Sequence, residues 1–183
     1  MTVDLITDDV GEELEAHAMW VPEDQAIVEI GSYRGGSTTR LVRGARDETA
    51  IYAVDPWEQV DVKTWCRHCE PVTRAEFEER MGLAVETGRV RILQGRSTDV
   101  AKTYDGPPIG LLFIDGDHSY AAAWGDLVAW KMHLAPKAIV AVDDYGVTRN
   151  PGVSRAVDEV VATGLYELRD VVAGGRVAIL RVF

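Results

Sequence analysis

Five apolar runs rich in Val and Ile recur along this chain, and each closes on an acid or a glycine. They span residues 26–31 (AIVEIG), 50–55 (AIYAVD), 90–95 (VRILQG), 109–115 (IGLLFID) and 138–144 (AIVAVDD). A run without polar alternation suits a strand covered on both faces, as in a parallel sheet. Segments of helical period fall at 36–44, 73–87, 119–134 and 152–163, so the pattern predicts βαβ units and a doubly wound α/β sheet. Two further runs, 166–173 and 176–182, have only Gly174 and Gly175 between them and read as a hairpin. The final strand is therefore expected to run antiparallel.

A length of 183 residues fits one domain, 1–183, with a substantial core. Its 30 acidic residues outnumber 19 Lys and Arg for a net charge of −11, spread along the chain. That balance disfavours nucleic-acid partners, whose affinity comes largely from cationic contacts. The opening MTVDLITDDVGEELEA lacks the regions of an export signal, and no run of about 18 apolar residues offers a membrane span. Cys66 and Cys69 then read as reduced thiols in a cytoplasmic protein.

The stretch VEIGSYRGGS (28–37) has the outline of a nucleotide-binding loop. A dinucleotide loop needs a second glycine where Tyr33 stands, and Glu29 would repel a phosphate. An NAD-dependent oxidoreductase is disfavoured on that ground. In open parallel sheets, ligands bind beyond the carboxyl ends of the strands. Those ends carry Glu29, Gly31, Asp55, Gly95, Asp115, Asp143 and Asp144 here. Asp115, Asp143 and Asp144 end adjacent strands, and three like charges together call for protonation or a cation. Oxygen ligands without thiolate suit Mg²⁺. His118, at a helix start beside Asp115, is a candidate general base, its ordinary pKa being about 6.5.

The segments VEIGSYRGGSTTRLV, IYAVDPW, RILQGRSTDV, FIDGDHSYAAAWGDLVAW and AIVAVDDYG, in that order, resemble the class I S-adenosylmethionine-dependent methyltransferases. The nearer resemblance is to the macrocin-type and mycinamicin-type sugar O-methyltransferases and relatives of the cephalosporin-tailoring methyltransferase. It implies a Rossmann-like, seven-stranded sheet with an antiparallel last strand, and S-adenosylmethionine as cofactor. By this resemblance Gly31, Ser32 and Gly35 lie against the methionine part of the cofactor, with Ser37 beyond them and Glu29 favouring its cationic amine. Asp55 accepts the ribose hydroxyls, while Arg96 and Ser97 border the adenine. Asp115 serves cofactor and metal together, and Mg²⁺ on Asp115, Asp143 and Asp144 chelates a vicinal diol that His118 deprotonates. Histidine at 118, where the catechol-type branch has lysine, points to a sugar or glycoside acceptor. A catechol or polyphenol acceptor, or a cofactor-binding module without catalysis, is the alternative. An amino-methylating nucleic-acid enzyme would carry Asn/Asp-Pro-Pro-aromatic where DGDH stands.

Three features depart from a plain βαβ pattern. The stretch PWEQVDVKTWCRHCEP (56–71) reads as a lid in which Trp57 and Trp65 offer flat surfaces to adenine, substrate or a neighbouring subunit. Its Cys66, His68 and Cys69 lack the second ligand pair of a structural zinc site. LAPKA replaces the glycine pair that usually precedes the fifth strand of such folds, and Asp117 is either a helix cap or a partner of His118. A short chain with an aromatic-rich insertion is expected to close its site as a homodimer.

Overall fold

The structure, a computed structural model, describes residues 6–59, 61 and 70–182. One sheet contains β1 (Ala26–Ile30), β2 (Ile51–Asp55), β3 (Val90–Gln94), β4 (Ile109–Ile114), β5 (Leu134–Val142), β6 (Glu167–Val172) and β7 (Val177–Arg181). Their order is β3-β2-β1-β4-β5-β7-β6. β7 pairs antiparallel with both β5 and β6, and the remaining pairings are parallel. The expected hairpin is present, with a wider turn: Ala173–Gly175 form a 3-10 turn and Arg176 follows before β7. Strand order reverses between β1 and β4, which is where a crevice opens in a doubly wound sheet.

Among the described residues, seven helices cover the faces: α1 (Asp8–Met19), α2 (Gly36–Gly44), α3 (Arg74–Met81), α4 (Leu83–Glu86), α5 (Ser97–Ala101), α6 (Tyr120–Ala129) and α7 (Pro151–Ala162). Every residue of β1 is buried. Val28 and Ile30 pack in one core with Leu127 of α6 and Val153 and Val157 of α7. Ile27 points the other way, into a second core with Leu14 of α1, Leu41 of α2 and Phe77 of α3. Cover on both faces is the physical reason that β1 is apolar at successive positions.

Local chemistry moved some boundaries. The helix expected over 73–87 starts with a capping box between Thr73 and Glu76 and breaks at Gly82, whose φ is 43°. The helix expected over 119–134 stops at Ala129, and Leu134 already belongs to β5. LAPKA forms the irregular start of β5, where Lys137 takes the positive φ (67°) that a glycine would adopt without strain. Helices α1 and α5 fall outside the four segments of helical period. In α1 the buried stripe of Val10, Gly11, Leu14 and Ala18 is narrow and interrupted by acids.

Those acids hold α1 to α2. Arg40 reaches Glu15 at 2.8 Å and Asp8 at 2.5 Å, and Arg43 reaches Glu15 at 3.2 Å. The helices touch at backbone distance, since a Cβ on Gly44 would lie 2.4 Å from the Glu15 carbonyl oxygen. Gly44→Ala should therefore force the helices apart and cost about 1–3 kcal/mol, read as a lower urea midpoint. An unchanged midpoint would show that the contact has slack.

Candidate active site

The loop after β1 is locked to the turn after β2 by one carboxylate. Asp55 Oδ2 accepts from the Tyr33 amide at 2.9 Å and Oδ1 from the Trp57 amide at 2.6 Å. The Trp57 indole N–H donates to the Tyr33 carbonyl at 2.8 Å and closes the connection. Tyr33 and Trp57 both have positive φ, 46° and 43°, conformations that non-glycine residues adopt only when their surroundings impose them. Burial raises the Asp55 pKa, opposed by the two amides. Each of its oxygens keeps a lone pair for a further donor. Trp57 is not a surface offered to a ligand: it is 5% exposed, with its ring centroid 5.1 Å from that of Phe77. Trp65, Cys66, His68 and Cys69 lie outside the described residues.

The loop glycines answer first to the protein. A Cβ on Gly31 (φ 88°) would sit 2.1 Å from the Asp115 carbonyl oxygen, so glycine lets the ends of β1 and β4 meet. A Cβ on Gly35 (φ 80°) would meet Met81 Sδ at 2.9 Å. Glu29, expected to favour the cationic amine of the cofactor, is fully buried. Its position in β1 turns it toward α2, where the Thr38 hydroxyl donates to Oε2. Burial raises its pKa, and the surrounding Ser37, Thr38 and Ser32 hydroxyls oppose that rise. Glu29 Oε1 and Ser32 Oγ are buried without a hydrogen-bond partner among the described residues.

At the ends of β4 and β5, acids and bases converge as expected, but differently paired. His118 Nε2 lies 3.2 Å from Asp144 Oδ2 and 3.6 Å from Asp115 Oδ1. Asp144 has φ 59°, and its Oδ2 also accepts from the Asn150 side-chain amide. Asp143 is bound at both oxygens by Arg176, whose Nε and Nη2 each donate at 2.9 Å. The same Nη2 stands 3.2 Å from Asp144 Oδ1 as an ion pair, and that buried oxygen accepts no hydrogen bond among the described residues. Burial raises the Asp115 pKa, and the Asp143 charge adds to that against the pull of His118. For His118, burial favours the neutral ring, but Asp115, Asp144 and Asp143 outweigh it and the net direction is up.

Mg²⁺ on Asp115, Asp143 and Asp144 does not fit this arrangement. A guanidinium already takes both oxygens of Asp143 and faces Asp144. Among the described residues, no group of three or more His, Cys, Asp or Glu side chains is placed to hold a metal ion.

The remaining expected residues are placed as follows. Asp117 Oδ1 accepts from the Ser119 amide at 2.9 Å, and Ser119 caps α6, so Asp117 shapes the turn. Arg96 is exposed after β3. Ser97 opens α5 and faces inward, accepting from the Trp130 indole at 2.7 Å. Beside Ser97 lies Asp126, a residue the sequence reading passed over, which is 5% exposed. Its only signal in the sequence was an acid inside the apolar helix AAAWGDLVAW.

Residues 28–145 match a protein family described as a methyltransferase domain. The chain belongs to that family. The fold agrees with solved structures at low sequence identity. One is an O-methyltransferase from Bacillus cereus in complex with SAH (TM-score 0.71, 16% identity, covering 98% of this chain and 83% of that one). Another is TomG from Streptomyces achromogenes, an O-methyltransferase of tomaymycin synthesis in complex with SAM (TM-score 0.69, 19% identity, 97% and 80%). A third is CalS11, described as a TDP-rhamnose 3′-O-methyltransferase of calicheamicin biosynthesis (TM-score 0.67, 19% identity, 94% and 76%). No curated protein sequence matches the chain. Among the described residues of this methyltransferase domain, no helix is long and apolar enough to cross a membrane.

Asp126 gives the site region a pH signature. Burial pushes its pKa up to about 7 from an ordinary 3.8, against the Ser97 hydroxyl. A raised carboxyl pKa means its contribution to stability is full below the unfolded value and lost as pH rises through the folded one. Asp126→Asn stays neutral and keeps the polar contact, so its melting temperature should gain on wild type as pH rises from about 4 to about 7 and hold that gain above it. Parallel melting curves across that range would remove Asp126 as the cause.

Proposed function

We propose that this methyltransferase domain is an S-adenosylmethionine-dependent O-methyltransferase acting on a hydroxyl of a sugar, glycoside or similar polyhydroxylated small molecule. The observation that carries the reading is His118 held between Asp115 and Asp144 beside the loop that Asp55 anchors. The solved structures with SAM and SAH, and the sugar named for CalS11, support cofactor and acceptor class. So does the histidine in DGDH, the position that suggests the sugar-tailoring branch. A polyphenol acceptor is the competing outcome.

S-adenosylmethionine supplies an electrophilic methyl group on a sulfonium. Everything else falls to the chain. Asp55, fixed by two amides, uses its remaining lone pairs on the ribose hydroxyls. Gly31, Ser32 and Gly35 line the methionine part, with Ser37 behind them at the start of α2. Glu29 acts by holding α2 through Thr38 rather than by touching the amine. Arg96 and Ser97 border the adenine side at the end of β3, Ser97 by its place at the start of α5. With the cofactor bound, His118 would take the proton of the acceptor hydroxyl, so that the oxygen could receive the methyl group while the carbon–sulfur bond breaks and a neutral thioether leaves. The imidazolium so formed faces Asp115 and Asp144, which stabilise it.

His118→Ala should lower kcat by about 10²–10⁴ on an accepted glycoside. Wild-type kcat/KM should rise with pH through an apparent pKa above about 6.5, because Asp115, Asp143 and Asp144 together outweigh burial and Arg176 is already engaged. The mutant should lose that limb. A mutant with near-normal kcat and the same limb would show that His118 merely starts the turn into α6.

The sequence also carries the proposal of a cytoplasmic homodimer. Light scattering should give twice the 20.1 kDa chain mass, and a monomer at working concentration would count against it.

A further inference from the structure

The carboxylates at the ends of β4 and β5 need a positive charge, and the chain itself delivers one. Ala173, Gly174 and Gly175 take φ of 50°, 65° and 92°, turning the β6–β7 hairpin tightly ahead of Arg176. The hairpin is seated on the turn after Asp144, since a Cβ on Gly146 would lie 2.6 Å from the Gly175 carbonyl oxygen. That seat aims Arg176 at the end of β5. The Asp143 side chain is 1% exposed and that of Arg176 24%, so water screens the pair weakly. Two parallel N–H···O bonds give it the bidentate geometry in which guanidinium and carboxylate bind best. Asp9 of α1 adds a carboxylate within the field of Arg176, and Asp115 lies within it too. A divalent cation entering here would have to break the bidentate pair and then sit beside a fixed positive charge.

We propose that Arg176 is the built-in counter-cation of this site, holding Asp143 and Asp144 in place of a divalent metal so that His118 works without one. Lysine would keep the charge without the fork. Methionine would keep an apolar stem and remove the charge.

Mn²⁺, a paramagnetic stand-in for Mg²⁺, tests this by loss of its free electron-spin signal on titration with protein. Wild type and Arg176→Lys should bind none at millimolar concentration. Arg176→Met should gain affinity by at least about tenfold, and adding Asp144→Asn should abolish the gain. Mn²⁺ held by wild type and released by Asp143→Asn would overturn the proposal. So would absence of binding in wild type and Arg176→Met alike, since the carboxylates would then be unfit for a cation with or without the arginine. Should Arg176→Met not fold, Arg176→Gln takes its place, with a gain of Mn²⁺ affinity over wild type as the supporting result and no gain as the overturning one. The inference rests on reading this as a methyl-transfer site, and S-adenosylhomocysteine separates the two. Failure of that compound to raise the melting temperature sinks the methyl-transfer reading, whereas Mn²⁺ binding decides the role of Arg176.

Discussion

Burying carboxylates at one end of a parallel sheet is the constraint on which the rest of this structure depends. Glu29, Asp55, Asp126, Asp143 and Asp144 are each at most 8% exposed. An ionised carboxylate taken from water must find donors, a counter-charge or a proton. This chain uses all three. Asp55 takes two backbone amides, Asp143 a guanidinium, and Asp144 a side-chain amide and an imidazole. Glu29 and Asp126 lie among hydroxyls, and burial moves both toward the protonated form.

Each solution also places a piece of backbone. The amides on Asp55 belong to Tyr33 and Trp57, so satisfying the acid ties two loops together in positive-φ conformations. Asp144 is in the same region of backbone space, beside the hairpin that carries Arg176. Strain of this kind persists only where surrounding contacts over-determine it, and it tends to gather at functional sites. The loops that must meet a cofactor and an acceptor are thus held by the electrostatics of the strand ends.

Much of this was legible in the sequence because strand ends are local. Runs such as AIYAVD and IGLLFID announce both a strand and the acid that closes it, and once the sheet is parallel those acids share an edge. Asp55, Asp115 and Asp144 were found that way. Arg176 was not, because it reaches Asp143 from a distant hairpin and nothing nearby marks it as a partner. Without that arginine, three acids at adjacent strand ends would call for a metal. The segment of Trp57 has the composition of a lid, whereas the burial of its ring depends on Phe77 arriving from α3. Helix α1 was hidden by its own acids, which pair with Arg40 and Arg43 from α2.

A crystal structure grown with S-adenosylhomocysteine and Mn²⁺, with anomalous data at the manganese edge, tests the central claim most directly. The account predicts ribose hydroxyls on Asp55 with both amide bonds retained, Arg176 still paired with Asp143, and no anomalous peak between Asp115 and Asp144. A manganese ion coordinated by Asp143, or a ribose bound away from Asp55, would contradict it.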